Sequence, residues 1–407
     1  MKKLACVTLS VLLVTLICLS LCGCKQPQAV AAELAYTPTV TQNFADNTPT
    51  GSLDLTKAPF VLDQGNMLQN KRLTKIEFAS TNVQKGQQFS LFVYTGESFT
   101  ASKTTVTLGE NFSQQDGVVS VDLKDVVVWV GANSTIAFFD KTDTIEVSTW
   151  GQSNATSVDD GSKASLPIAL FTHDYGKHNL ALSVLGDSIS TFDGVSNNSN
   201  DNATLALNKT FYPRYDIQSA EQTWWNVVNQ MTGGCLLVNN SWSGSLVTTQ
   251  TGRAWQKRCV NLHNDKTNQT PDAIAFYMGT NDLGKVDVGE FNKLDDIYNE
   301  DTGYISPQTF AQAYAVCIHK MKVAYPNAKI FAFTLPESSY SVDNAVLDEF
   351  NQAIVDIANY FDCYIVDLGQ MDGYHYTTHT DDNLHPNVQG MLCIADYFAR
   401  CIQATSN

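Results

Sequence analysis

Short runs of alternating hydrophobic and polar residues fill the first part of the chain, from about residue 51 to residue 175. Clear examples are residues 89–94, 118–123 and 135–139, and Gly, Asn and Asp separate such runs at strand-and-turn intervals. A period of two between turn residues predicts β-strands. This segment is therefore predicted to form an all-β sandwich or jelly roll.

The pattern changes at about residue 178, where short apolar runs begin to alternate with longer segments of helical period. Strands are predicted at 182–185, 236–239, 273–278, 329–334 and 364–366, and helices at 221–231, 307–324, 342–360 and 388–403. Buried strands that alternate with helices indicate a parallel sheet covered on both faces. In such sheets, sites form beyond the carboxyl ends of the strands.

The N-terminus has the pattern of an export signal. Lys2 and Lys3 precede an uncharged apolar stretch at 4–21, and Leu21-Cys22-Gly23-Cys24 ends it. This ending resembles the lipobox of bacterial lipoproteins, which implies cleavage before Cys24 and a lipid on its sulfur. An ordinary cleaved signal or an uncleaved anchor stays open. The predicted order is a signal peptide at 1–23, a linker at 24–50, a β domain at 51–175 and an α/β domain at 176–407.

The composition narrows the class of protein. Hydrophobic residues make up 43% of the chain, which allows both parts to bury a core and excludes global disorder. The 41 acidic residues outnumber the 25 Lys and Arg residues, and a net charge of -16 argues against binding of nucleic acid. Six cysteines lie in the C-terminal half, most of them in apolar runs, and we expect buried free thiols there. They are Cys235, Cys259, Cys317, Cys363, Cys393 and Cys401.

Four short segments supply, in order, the groups that an acyl-transfer site needs. Three of them follow predicted strands and the fourth enters the last predicted helix; they are Gly186-Asp187-Ser188, Asn240-Ser241-Trp242-Ser243-Gly244, Gly279-Thr280-Asn281-Asp282 and Asp382-Asn383-Leu384-His385-Pro386. A serine hydroxyl is a weak nucleophile and needs an adjacent base, for which His385 is the candidate. Asp382, three residues earlier, can fix the tautomer of that imidazole.

A tetrahedral intermediate also needs donors for its oxyanion. Gly244 can present a backbone N–H group without a side chain in the way, the Asn281 amide can donate a second bond, and the N–H group of Ser188 a third. Each segment alone is a weak signal, because Gly-Asp-Ser and Gly-Thr-Asn-Asp also occur as ordinary turns. Their joint occurrence in order predicts one shared site.

Together these segments resemble the SGNH, or GDSL, hydrolase family over residues 178–407. The resemblance implies a flavodoxin-like three-layer α/β/α sandwich, with no metal and no other cofactor. It implies Ser188 as nucleophile, Asp382 and His385 as the rest of a triad, and Gly244 and Asn281 as oxyanion donors. The extended forms at 186–191 and 239–244 look like one bacterial branch of the family. The N-terminal β region falls outside the resemblance.

Other serine-hydrolase patterns fit less well. The α/β-hydrolase elbow needs Gly two residues after the nucleophile, where this chain has Ser190. We expect His375 and His379, which lie near Asp381, to line the loop beside the triad or to face solvent rather than to bind a metal. Trp242, in the same segment as the oxyanion candidate Gly244, is a candidate for substrate contact.

The sequence thus predicts an exported, lipid-anchored serine esterase at the bacterial cell surface or on a periplasm-facing membrane. Its expected partners are an acylated carbohydrate or another small ester and, through Cys24, the membrane, with no nucleic acid. O-acetyl groups on carbohydrate are the expected target. A lipid or thioester hydrolase, an acetyltransferase with the same triad, and a non-catalytic carbohydrate-binding lipoprotein are the alternatives.

Overall fold

The computed structural model describes residues 31–40, 51–54, 59–63, 65–80, 83–95, 100–139, 146–149, 155–157, 159, 161–164, 166–196, 210–248, 258–339 and 344–406. The predicted signal peptide at 1–23 and the predicted lipidation site Cys24 lie outside these ranges. Within them, no helix has both the length and the apolar character that crossing a bilayer requires.

The N-terminal part is built from antiparallel strands. Within the described residues they are β1 Thr37–Val40, β2 Gly51–Asp54, β3 Phe60–Leu62, β4 Lys71–Ala79, β5 Gln88–Thr95, β6 Thr100–Thr107, β7 Phe112–Gln115, β8 Val118–Asp122, β9 Val128–Val130, β10 Ser134–Phe139, β11 Glu146–Thr149, β12 Ala155–Ser157, β13 Lys163–Ala164 and β14 Ile168–His173. One sheet has the order β1-β14-β4-β8-β7, with β9 also on β4, and a second has the order β13-β12-β3-β10-β5-β6. Strands β2 and β11 form a separate pair.

The two larger sheets enclose one apolar core, as the alternation in the sequence predicts. Leu73 and Val121 from the first sheet and Leu91 and Ile136 from the second are fully buried in it. Strand β8 shows the period directly, because its buried and half-buried residues alternate. Burial of one face of each sheet against the other is what stabilises this sandwich.

The predicted linker at 24–50 needs a correction, because part of it is a strand. Residues Thr37–Val40 pair antiparallel with β14 at the edge of the first sheet. Three of these four residues are β-branched, which favours extended backbone. The sequence analysis placed Pro38 in the linker. A proline is tolerated here because it lies on an edge strand, and the register shifts between Pro38 and Val40.

The C-terminal part contains one parallel sheet with helices around it. Its strands are β15 Ala181–Gly186, β16 Cys235–Asn239, β17 Ala273–Tyr277, β20 Lys329–Phe333 and β21 Tyr364–Val366, and β18 Tyr298–Asn299 with β19 Gly303–Tyr304 forms a small hairpin apart from it. In the described residues of this part, the α-helices are α1 Trp224–Thr232, α2 Phe310–Ala324, α3 Asn344–Tyr360, α4 Tyr376–His379 and α5 Val388–Ala404. The strand order β16-β15-β17-β20-β21 is the flavodoxin-like order, which confirms the predicted fold.

Helices cover both faces of this sheet, and neighbouring residues of β17 show it. Tyr277 packs its ring against Trp224 of α1, whereas Phe276 packs against Tyr314 of α2. Successive side chains of a strand point to opposite faces, so α1 and α2 lie on opposite sides. Helix α5 packs beside α1, and α3 packs beside α2. The central strands β15, β17 and β20 are therefore buried on both faces, as their unbroken apolar runs predict, whereas the edge strand β16 is exposed at Cys235.

Capping explains where helix α2 begins. It starts at Phe310 rather than at the predicted residue 307, because Thr309 is the N-cap and its hydroxyl accepts a hydrogen bond from the Gln312 N–H group. All six cysteines are free thiols and five of them are buried, as expected, but Cys235 is exposed because it opens the edge strand β16.

A buried ion network joins the sandwich to the α/β part. Arg72 on β4 lies 2.6 Å from the carboxylate of Asp396 on α5, and neither side chain is more than 3% exposed. Arg400, one turn further along α5, contacts the same carboxylate at 3.2 Å, and the Tyr175 hydroxyl donates to it as well. Burial raises the pKa of Asp396, but the two guanidinium groups outweigh it and hold that pKa below its ordinary value. Trp129 of β9 also packs against Tyr175, inside the core of the α/β part.

Candidate active site

Ser188 lies directly beyond the carboxyl end of the central strand β15. It opens a single 3-10 turn, Ser188–Ser190, in which the Asp187 carboxylate accepts a hydrogen bond from the Ile189 N–H group at 3.0 Å. Gly186 is needed before this turn, because a Cβ atom there would come within 2.5 Å of the Ser190 hydroxyl. The strand end and this tight turn together place the Ser188 side chain at the edge of the sheet.

The loop before helix α5 brings a histidine and a carboxylate to that serine. The Asp381 N–H group donates to the His385 carbonyl at 3.0 Å and closes the loop. One Asp382 oxygen accepts the N–H group of His385 at 2.7 Å, and the other lies 2.8 Å from its Nδ1. The opposite ring nitrogen, Nε2, lies 2.9 Å from Ser188 Oγ. The structure therefore brings together three side chains that stand 197 and 3 residues apart in the chain.

The pKa values of His385 and Asp382 suit a base that is neutral before the reaction begins. Burial lowers the pKa of His385, Asp382 raises it, and Arg214 lowers it again, with a net result below the ordinary histidine value of 6.5. Partial burial raises the pKa of Asp382, but hydrogen bonds from the backbone and ring of His385 outweigh it and hold it below its ordinary value. At neutral pH the imidazole can therefore accept a proton while the carboxylate stays ionised.

The loops after β16 and β17 meet beside the serine. The Trp242 N–H group donates to the Gly186 carbonyl at 3.1 Å, which ties the second segment to the first. The Asn281 side-chain amide donates to the Ser245 carbonyl at 3.1 Å, which ties the third segment to the second. Gly244 between them has a φ of 72°, a left-handed value that favours glycine.

Backbone donors in these segments are free for a ligand. In the part of the chain that the structure describes, the N–H groups of Ser188 and Gly244 donate no hydrogen bond. Asn281 Nδ2 carries two hydrogens and uses one of them on Ser245. These are the three predicted oxyanion donors, and the loop contacts place all three at the same edge of the sheet.

Two buried polar groups to which the sequence analysis assigned no role, Asp282 and Arg258, hold the loop after β16 at residues 240–248. The Asp282 carboxylate accepts hydrogen bonds from the N–H groups of Val247 and Thr248 at 2.7 and 3.0 Å. The Arg258 guanidinium donates to the Asn240 carbonyl at 2.5 Å. Asp282 was within reach of sequence reasoning, since it ends the Gly-Thr-Asn-Asp segment. Arg258 had no such signal.

The Arg258 side chain also contacts Trp242. Its ring lies over the Arg258 guanidinium, 4.5 Å from ring centroid to Cζ, and the residue is half-buried. Burial lowers the pKa of Arg258 to about 9, and burial raises the pKa of nearby Asp187 to about 7. Because the Arg258 guanidinium lies over the Trp242 ring, one face of that ring is already covered by protein. Substrate contact at Trp242 stays a prediction.

His375 and His379, which the sequence analysis placed beside the triad or in solvent, lie at the N-cap and the end of the short helix α4. His379 Nδ1 lies 2.9 Å from the Thr378 hydroxyl and 3.0 Å from the His375 carbonyl. Asp381 lies in the same loop as His385, and partial burial, with Asp216 and Asp382 nearby, raises its pKa to about 6. These residues line the loop that carries His385.

The turn at residues 211–217, which the sequence analysis missed entirely, lies against the base. The Phe211 ring stacks on the His385 imidazole with centroids 3.5 Å apart, and the Tyr212 hydroxyl donates to the Pro386 carbonyl at 2.7 Å. Tyr215 in the same turn is 49% exposed and has a φ of 55°. A left-handed conformation is uncommon for a bulky aromatic residue and marks a position worth attention. No hydrophobic period or motif surrounds these residues in the sequence.

The flavodoxin-like sheet, with serine, histidine and aspartate at the carboxyl ends of its strands, defines the chain as a serine hydrolase. Residues 180–402 match the family model of the GDSL-like lipases and acylhydrolases, and the chain belongs to that family. It is therefore a carboxylic ester hydrolase. No curated protein matches the chain.

Solved structures of similar fold include two candidate GDSL-like lipases. The one from Bacteroides ovatus is 25% identical over 55% of this chain and 97% of its own, with a TM-score of 0.42. The one from Bacteroides uniformis is 26% identical over 54% and 93%, with a TM-score of 0.41. A family two carbohydrate esterase from Clostridium thermocellum, solved in complex with cellohexaose, covers 90% of this chain and 97% of its own at 14% identity and a TM-score of 0.37.

Proposed function

We propose that the chain hydrolyses esters through an acyl-enzyme on Ser188. The observation that carries the proposal is the continuous hydrogen-bonded series from Asp382 through His385 to Ser188, with distances of 2.8 and 2.9 Å. His385 Nε2 takes the hydroxyl proton as Ser188 Oγ attacks the ester carbonyl. The same imidazole then returns the proton to the leaving alcohol, and water, activated in the same way, releases the acid.

The negative charge that develops on the carbonyl oxygen needs donors that are already in place. We assign this role to the N–H groups of Ser188 and Gly244 and to the Asn281 amide. The hydrogen bond from Asn281 to Ser245 supports this, because it fixes the amide next to Gly244 before substrate arrives. Preorganised donors of this kind typically each lower the barrier by about 3 kcal/mol.

The proposed substrate is a carbohydrate that carries O-acetyl groups. Tyr215 supports this choice, because an exposed aromatic ring close to the base offers a flat apolar surface on which a sugar ring can stack. Its chain neighbours Arg214 and Asp216 are exposed and polar. A rim of this kind suits a hydroxyl-rich substrate better than a long acyl chain.

Acetate release from acetylated glycans, compared with release of long-chain acids from lipid and thioester substrates, tests the substrate. Acetate in solution supports the esterase, whereas acetyl transfer to an added sugar acceptor would favour the acetyltransferase. A fluorophosphonate probe separates both from a non-catalytic binding protein. A folded chain that the probe leaves unlabelled would contradict catalysis at Ser188.

Replacing Tyr215 with Ala is expected to raise KM for an acetylated oligosaccharide by about three- to tenfold, the loss of one aromatic stacking contact. KM for a small aryl acetate should not change, because that substrate does not extend to the ring. Tyr215→Trp should keep the wild-type KM. Tyr360→Ala, at a similarly exposed ring on α3, is the matched control. Equal KM values for the oligosaccharide in wild type and Tyr215→Ala would contradict this binding role.

We further propose that the protein is exported and anchored by a lipid on Cys24. The basic start, the uncharged apolar stretch and the Leu-Cys-Gly-Cys ending support this. Metabolic labelling with a fatty acid should mark the wild type and leave Cys24→Ala unmarked. Equal labelling of the two would contradict the anchor.

A further inference from the structure

The face of the candidate base is covered by two planar groups in series. The rings of Phe211 and His385 are almost parallel, at 10°, with centroids 3.5 Å apart. The Arg214 guanidinium lies over the same phenyl ring, with Cζ 4.6 Å from its centroid. Since the imidazole occupies one face of the Phe211 ring, the guanidinium covers the other.

The turn that carries these groups is tied to both halves of the site. The Phe211 N–H group donates to the Thr191 hydroxyl at 2.8 Å, and that hydroxyl donates to the Ser188 carbonyl at 2.9 Å. On the other side, the Tyr212 hydroxyl donates to the Pro386 carbonyl, directly after the base. The backbone of the turn therefore spans from the residue that carries the nucleophile to the loop that carries the base.

The acidic end of the turn adds a third connection. The Asp216 carboxylate accepts a hydrogen bond from the N–H group of Val388, the first residue of helix α5, at 3.2 Å. A carboxylate at a helix N-terminus is favourable because it faces unpaired N–H groups and the positive end of the helix dipole. Helix α5 begins three residues after His385, so this contact also fixes the base loop.

Two hydrogen bonds do not fix an imidazole completely. The bonds to Asp382 and Ser188 hold two points on the edge of the ring but leave it free to tilt about the line between them. A ring stacked flat on one face removes that freedom. We propose that Phe211 and Arg214 are positioning residues that clamp the His385 imidazole in the plane joining Ser188 and Asp382. This inference rests on the proposed catalytic role of His385.

The charge of Arg214 also acts on the His385 imidazole. The groups that face His385 are Asp382 on its own loop, Arg214 on the turn and the Ser188 hydroxyl, with Asp381 and Asp216 close by. Burial, to which the Phe211 ring contributes, and the Arg214 charge both lower the pKa of His385. Because only the neutral imidazole can accept the serine proton, both effects extend activity to lower pH.

The test measures kcat, KM and the pH dependence of kcat/KM on an aryl acetate, with the full chain. Phe211→Leu keeps apolar bulk but removes the flat ring, and we expect kcat to fall by about 10- to 100-fold while KM stays within about twofold. Phe211→Tyr keeps the ring and should restore kcat. Removing the charge in Arg214→Gln raises the pKa of His385, so the acid limb of kcat/KM should move to higher pH, whereas Arg214→Lys should hold it in place.

Wild-type kcat in Phe211→Leu together with an unshifted acid limb in Arg214→Gln would overturn the clamp. A loss of kcat in Phe211→Tyr equal to that in Phe211→Leu would also overturn it, since it would mean a general packing defect. Titration of His385 by NMR in a Ser188→Ala background needs no turnover. A raised pKa there in Arg214→Gln supports the clamp even when no ester is hydrolysed, an outcome that refutes only the proposed function.

Discussion

The Ser188→Ala variant is expected to lose turnover of an aryl acetate by a factor of about 10⁴ or more, the typical cost of removing a serine nucleophile that acts with its base as a unit. The hydroxyl that His385 approaches at 2.9 Å would be gone, so no acyl-enzyme could form. The fold should survive, because the Asp187 carboxylate and not the Ser188 hydroxyl caps this turn. The measurements are kcat/KM and labelling by a fluorophosphonate.

Ser190 is the matched control, since it lies two residues later in the same buried turn. Ser190→Ala should keep labelling and turnover. Unchanged hydrolysis by Ser188→Ala would refute the proposed mechanism, and so would equal loss in the two variants, which would point to damage of the turn rather than to removal of a nucleophile.

The Arg72→Met variant is expected to lower the free energy of unfolding by about 3–5 kcal/mol, which is typical when one partner of a buried ion pair is removed. The Asp396 carboxylate would stay buried with Arg400 but without its closest cation, at 2.6 Å in the native protein. Adding Asp396→Leu should recover part of the loss, because the carboxylate that Arg72 pairs with is then no longer buried there. Denaturant unfolding followed by tryptophan fluorescence measures both.

An exposed ion pair provides the comparison for this effect. Lys163 and Asp63 lie 3.1 Å apart, with side chains 55% and 37% exposed, so Lys163→Met should change stability by less than about 1 kcal/mol. A similarly small effect for Arg72→Met would show that the buried network does not stabilise the contact between the two parts of the chain.

Local patterns were sufficient for the α/β architecture. The five strands of the parallel sheet were each predicted to within two residues, because each is a short apolar run bounded by turn residues. The four longer helices were predicted as well, with errors at the N-terminal ends where capping decides. Helix α1, for example, begins at Trp224 rather than at residue 221, because a 3-10 turn at Ala220–Gln222 precedes it. The contact of Ser188 with His385 was predicted by placing three motifs at strand ends and the fourth at the entry to the last helix, with Asp382 three residues before the histidine.

Features set by distant contacts were out of reach. In strand β4 the alternating pattern fails at Arg72, Leu73 and Thr74, which are all buried. The Arg72 side chain pairs with Asp396 of helix α5, more than 300 residues later in the chain, so an arginine whose charge predicts a surface position lies in the interior. The stacking of Phe211 on His385 was missed as well, because it also joins residues that are far apart in the chain. A single aromatic residue carries no hydrophobic period that could have predicted it.

The shared carboxylate on α5 also bears on how such a protein can evolve. A hydrolase module spliced onto a different accessory domain would keep Asp396 and Arg400 but lose Arg72, the cation closest to that carboxylate. We therefore expect recombination between the β-sandwich and the α/β part to be selected against unless Arg72 and Asp396 are transferred together. Gene architectures that keep this β-sandwich should retain the pair, and lineages that lose the sandwich should replace the aspartate with an uncharged residue.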